Sequence, residues 1–147
     1  METASMPMVQ HTLSMKSIKK IKINDHLQID KTGHQAGKIR LKRLSESFST
    51  REFKSYFIEF EKGARSKIHL HDVDQLIVGM AGRGKVVILS KINHTKKEHS
   101  LEVQKILNLE EGEAILVPAG TLHWHGATEI QNSSQLSFMK DGNTFWF

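Results

Sequence analysis

Two short stretches hold the residues best suited to chemistry. The first runs from Gly63 to Gly82 and sets His69 and His71 two residues apart, with Gln75 four residues further on. The second runs from Gly112 to Ala127 and places Pro118-Ala119-Gly120 ahead of His123-Trp124-His125. Side chains alternate faces along a strand, so His69 and His71 project to one side. Asp72 and Asp74 suggest a turn, which puts Gln75 on the next strand, facing back. The Pro-Ala-Gly corner lets His123 open a new strand. Three imidazoles, His69, His71 and His123, and the side-chain amide of Gln75 are a ligand set for one divalent transition metal: iron, manganese, nickel, zinc or copper. Imidazole binds a metal only when neutral, so occupancy should fall below about pH 6.

The amide at Gln75 has an electrostatic consequence. A carboxylate would offset one of the two charges of a divalent ion; an amide offsets neither. Uncompensated charge is costly in a barrel interior of low effective dielectric. The site should therefore recruit an anion, either hydroxide or a substrate carboxylate or enolate. Coordination positions left open by the protein would let the metal act as a Lewis acid or lower the pKa of bound water. His125 shares the face of His123. It is a candidate catalytic base, with two other roles open: a fifth ligand, or a structural histidine satisfied by hydrogen bonds. The same structural reading applies to His69, His71 and His123 if the barrel holds no metal. Trp124 should face outward. Phe57, Ile58, Ile77 and Phe138 are core residues that could line a pocket. His11, His26, His34, His94 and His99 fall in tail, loop or hairpin positions and are expected to be exposed and without chemistry.

The elements that must position these groups are short strands. A chain of 147 residues suggests one domain, here 17–147, behind a flexible tail over 1–16. The chain has no cysteine, which excludes disulfides and thiolate ligands and suits a cytoplasmic protein. No apolar run reaches the roughly 20 residues that span a membrane, and no secretory signal is expected at the N-terminus. The formal charge is +5, but Lys and Arg are interleaved with Asp and Glu and no aromatic-basic pattern accompanies them, so no nucleic-acid partner is expected. Ile18, Ile21 and Ile23 suggest a first strand. Further strands are expected over 39–44, 53–61, 67–71, 75–80, 85–92, 100–107, 114–117, 122–125 and 135–139, with 81–84 as a glycine-rich turn. Close-spaced short strands with no long helical period argue for an all-β barrel or sandwich.

The two stretches together resemble the paired motifs of the cupin family. In that pattern a glycine precedes His-x-His, an acid and a second glycine; a later glycine then precedes Pro-x-Gly, a histidine and an asparagine. This chain matches at Gly63, His69, His71, Gly82, Gly112, Pro118, Gly120 and His123. It departs at Gln75, where the family usually has Glu, and at Ala127, where it usually has Asn. The second motif is similar to that of a cupin subgroup related to partners of carboxymuconolactone decarboxylase, in which Gln often serves as fourth ligand. The resemblance implies a double-stranded β-helix, or jelly-roll barrel, with one metal on His69, His71, Gln75 and His123, and a homodimer formed through strand edges. It also implies a small-molecule ligand; that this ligand is an anion follows from Gln75 and goes beyond the resemblance. An enzyme, a non-catalytic sensing module and a structural dimer all fit this reading, because fold alone does not choose among them.

Overall fold

The computed structural model describes residues 18–147; the tail expected over 1–16 lies outside these. Twelve strands make the fold: β1 (Gln28–Ile29), β2 (Gln35–Ala36), β3 (Ile39–Arg43), β4 (Lys54–Phe60), β5 (Arg65–Ser66), β6 (His69–His71), β7 (Gln75–Asn93), β8 (His99–Glu110), β9 (Ala114–Val117), β10 (His123–Ala127), β11 (Ser133–Met139) and β12 (Thr144–Trp146). All pairings among them are antiparallel. One face is ordered β1-β3-β4-β11-β7-β9, and the other is built from β2, β5, β10, β7 and β8, with β6 and β12 at its open end. The result is a curled all-β jelly-roll barrel.

The two faces share β7. Its first part pairs with β11 and β9, and its second part with β10 and β8. The sequence predicts a turn over 81–84; instead the strand continues through that segment and bends. A register shift against Ser134 and Gln135 marks the bend. Gly82 has φ +70°, and a Cβ there would run into the Asn132 carbonyl. Glycine thus permits a corner within one strand, where the composition alone reads as a reversal.

Other expectations differ at their edges. Residues 18–22 form no strand, and Ile23–His26 is a single 3-10 turn; with few partners to cover it, Ile18 is exposed. The connector after β3 contains a short helix, α1 (Leu44–Ser47). Strand β11 alternates buried and more exposed positions as expected, and β7 pairs with β8 as a hairpin.

Two apolar clusters fill the barrel. Ile39, Ile58, Phe60, Ala64 and Ala127 form one, and Ile77, Val86, Leu109 and Val117 form the other. Between them the inward positions are polar: His69, His71, Gln75, His123, His125, Gln135 and Ser137 are all buried. A barrel interior that spends so many positions on nitrogen and oxygen must give each a partner, since an unpaired buried polar group costs about 1–3 kcal/mol.

Candidate metal centre

His69, His71, His123 and His125 are all buried in the barrel interior. His69 and His123 face each other directly across β6 and β10, with ring centroids 4.4 Å apart. His71 lies 4.9 Å from His69 and 5.6 Å from His123. His125 lies 6.0 Å from His69 and 6.1 Å from His123. Gln75, at the start of β7, brings Oε1 to 3.0 Å from His123 Nε2. The five side chains singled out in the sequence thus share one region of the barrel interior, with Gln75 joined to it through His123. The tightest group of nitrogens is His69, His123 and His125, whose ligand atoms lie within 4.8 Å of one another; His71 stands beside it.

Hydrogen bonds fix what these rings can offer. His69 Nδ1 donates to Lys67 O at 2.7 Å, and His123 Nδ1 to Thr121 O at 2.8 Å. A carbonyl only accepts, so each Nδ1 carries the proton and each Nε2 carries a lone pair. His125 Nδ1 meets Gln135 Oε1 at 2.8 Å, while Gln135 Nε2 donates to Gly126 O at 2.9 Å and Ser133 Oγ at 3.1 Å. The Gly126 carbonyl pins the amide, which pins His125 in the same tautomer. His71 Nδ1 shares a 2.8 Å bond with Thr144 Oγ1, and its Nε2 is buried without a protein partner. Gln75 is anchored from behind by donating to Ser137 Oγ at 2.8 Å.

The site strongly disfavours imidazolium. Burial, followed by the neighbouring His123 and His125, lowers the pKa of His69 to about 2. Burial and His123 lower His71 to about 4. Burial and His123 lower His125 to about 3, and burial lowers His123. Neutral rings with converging lone pairs and one orphaned buried nitrogen are the donor set a divalent transition ion requires.

A cavity of about 180 Å³ opens above the histidines. Ile58, Leu41 and Met139 supply apolar wall, while Phe57 and Phe138 point away from it on the outer face. Trp124 also faces outward, between Arg65 (4.7 Å) and Lys85 (5.2 Å). Several residues at the site carry no local signal in the sequence. Gln135, Ser137 and Thr144 orient the ligand candidates from strands far along the chain. Trp146 lies 4.7 Å from His69 and stacks on His34 at 4.1 Å. His34 is exposed, as expected, and lines the cavity mouth. Asp72 and Asp74 serve the loops, accepting from Asn143 N and Ala119 N.

A barrel of this topology with histidines converging on its interior is the cupin arrangement, and the cupin family profile matches residues 34–145. The chain belongs to the cupin family. No curated protein matches it in sequence. Among solved structures it is similar to a cupin-like protein of Thermotoga maritima, at 20% identity over 82% of this chain and 84% of that one, with a TM-score of 0.64. It is also similar to the polyketide cyclase RemF of Streptomyces resistomycificus, at 14% identity, 88% and 85% coverage and a TM-score of 0.67. A third match is oxalate decarboxylase of Bacillus subtilis, described with Mn(II) centres, at 16% identity and a TM-score of 0.60; there 85% of this chain covers 31% of the other. At these identities the likeness speaks for the fold. No helix among the described residues is long and apolar enough to cross a membrane.

Proposed function

We propose that this cupin is a metal-dependent enzyme acting on a small anionic, oxygen-rich molecule. His69, His71, His123 and Gln75 hold one divalent transition metal, and His125 serves as a general base. The observation that carries this reading is the set of ties behind the rings. Lys67 O, Thr121 O and Gln135 Oε1 each take an Nδ1 proton, which leaves Nε2 lone pairs facing inward. When bound, the metal supplies Lewis acidity toward a chelating oxygen. The chain's own contribution is to hold neutral ligands, keep His125 Nε2 unprotonated and present a partly apolar cavity that limits water. The ligand set contains no carboxylate, so the ion keeps its charge and favours an anionic partner.

Elemental analysis of protein purified without added metal tests the first step; stoichiometric metal is expected, and its absence in wild-type protein would remove the reading. His125→Ala separates ligand from base. It should keep the metal and lose at least a hundredfold in turnover, in line with the loss of a positioned base. A second assignment is favoured by the 4.8 Å grouping: His125 is a ligand and His71 is not. In that case His125→Ala loses metal, while His71→Ala keeps it.

The protein is further read as a cytoplasmic homodimer. Supporting the dimer, Phe138, Leu76 and Leu116 form a cross-strand row on the outer face, each more than a third exposed. Sedimentation of wild-type and Leu76→Lys protein tests it.

A further inference from the structure

The cavity above the histidines is chemically different at its two ends. At one end stands Lys54. It opens β4, pairs with Met139 of β11, and Met139 pairs in turn with Gln75 of β7. The row Lys54–Met139–Gln75 lies across three strands with its side chains turned inward, so a lysine is aimed at the barrel interior beside the candidate ligand Gln75. Lys54 Nζ donates to Gly142 O at 2.5 Å and lies 3.3 Å from Asp141 Oδ1. An ammonium has three protons, so one remains for a ligand.

At the other end stands Gln35. It pairs with Ser66 of β5, and Ser66 Oγ in turn accepts from His125 N at 3.1 Å. This second row, Gln35–Ser66–His125, reaches the histidines from the opposite side. Gln35 Oε1 is buried and has no hydrogen-bond partner in the protein. Asp30, on the same rim, keeps its carboxylate on Thr32, accepting from its N and Oγ1 at 3.2 and 3.1 Å. This end therefore offers acceptors and negative charge: an unsatisfied amide oxygen and a carboxylate.

We infer that the cavity selects a short acid with a hydrogen-bond donor at its far end, a hydroxy acid, over a dicarboxylate or a simple fatty acid. The carboxylate sits by Lys54 and the charge on the cavity floor, and the hydroxyl donates to Gln35 Oε1. Leu41, Ile58 and Met139 meet the methylenes between. At about 30 Å³ per water, a cavity of about 180 Å³ holds about six waters, the size of a chain of some four carbons. A second carboxylate in place of the hydroxyl would face Gln35 Oε1 and Asp30 with no proton to give. A methyl there would leave the amide oxygen unpaired. The inference deepens the proposed function and rests on its cationic floor.

The test uses three probes of equal length, 4-hydroxybutyrate, butyrate and succinate, titrated calorimetrically into full-length protein of measured metal content. 4-Hydroxybutyrate should bind at least tenfold tighter than either of the others. Gln35→Leu should erase its advantage over butyrate, with butyrate itself bound as tightly as before or more tightly. Gln35→Glu keeps an acceptor and should keep the advantage, which guards against a folding effect of the leucine. Lys54→Gln should weaken all three probes. Equal binding of the three, preference for succinate, no saturable binding of any, or an advantage that survives Gln35→Leu would each overturn the inference. The metal content of the same samples reports separately on the floor, because the Gln35-dependent preference can be read with or without an ion.

Discussion

Two buried glutamines stand behind two histidines, and they are not equivalent. Gln135 is fully buried, and its amide is pinned: Nε2 donates to Gly126 O, which can only accept, so Oε1 must take the Nδ1 proton of His125. Gln75 is almost as buried, yet it leans on Ser137 Oγ, which can donate or accept, and it faces the inward nitrogen of His123. The first arrangement is complete without any further atom. The second places an amide oxygen against a nitrogen whose proton is already committed on the far side of the ring. One glutamine is scaffolding, and the other belongs to the site.

The contrast breaks most sharply at Gln135. Gln135→Leu should strand the His125 Nδ1 proton and the Gly126 carbonyl together. We expect a loss of about 3 kcal/mol, or roughly 10 °C in Tm, in protein stripped of metal, read by thermal or urea unfolding. Gln75→Leu under the same conditions should change stability by less than about 1 kcal/mol, since it strands only a serine hydroxyl. Its effect should appear in metal affinity instead, as a loss of about tenfold or more, roughly 1.4 kcal/mol. If both substitutions cost the same stability, the two amides are alike and the distinction fails.

Acid sharpens the same comparison. Unfolded imidazoles take up protons near their ordinary value of 6.5, while His69, His71 and His125 resist until about 2, 4 and 3. Below 6.5 the unfolded chain therefore binds more protons, and stability falls as pH drops through the window down to the folded values. Above 6.5 these groups contribute no slope. Metal-free protein should show this steepening in urea midpoints measured between pH 7.5 and 4.5. A flat profile would mean that the rings are not held neutral.

The smallest effect is expected at Thr144. Its hydroxyl orients His71 from a three-residue strand at the cavity edge. Thr144→Val keeps the shape and removes the bond. It should cost about 1 kcal/mol of stability and at most about tenfold in metal affinity, as outer partners of metal ligands do.

Much of this was legible in the sequence because period-2 spacing is a statement about faces. His-x-His and His-x-His, divided by Pro-x-Gly, already require two pairs of rings on strand faces, and the structure brings those faces together. The outward Trp124 follows from the same rule. What spacing could not reveal is which distant side chain stands behind each ring. Gln135 and Ser137 look like ordinary residues of an alternating strand, and Thr144 like part of a turn; their roles exist only once β11 lies beside β7 and β12 beside β6. The turn expected over 81–84 proves to be a bend for a related reason. Glycines signal backbone freedom, but whether the chain reverses or bends depends on the Asn132 carbonyl that crowds Gly82, and that contact is remote in sequence.

The placement of the two tryptophans gives the protein an optical gauge of its own interior. Trp146 lies 4.7 Å from His69, while Trp124 sits on the outside between two cations. A paramagnetic ion arriving at the histidines would quench the emission of the first more strongly than that of the second. Loading could then be followed in the unlabelled chain, with Trp124 as the built-in reference.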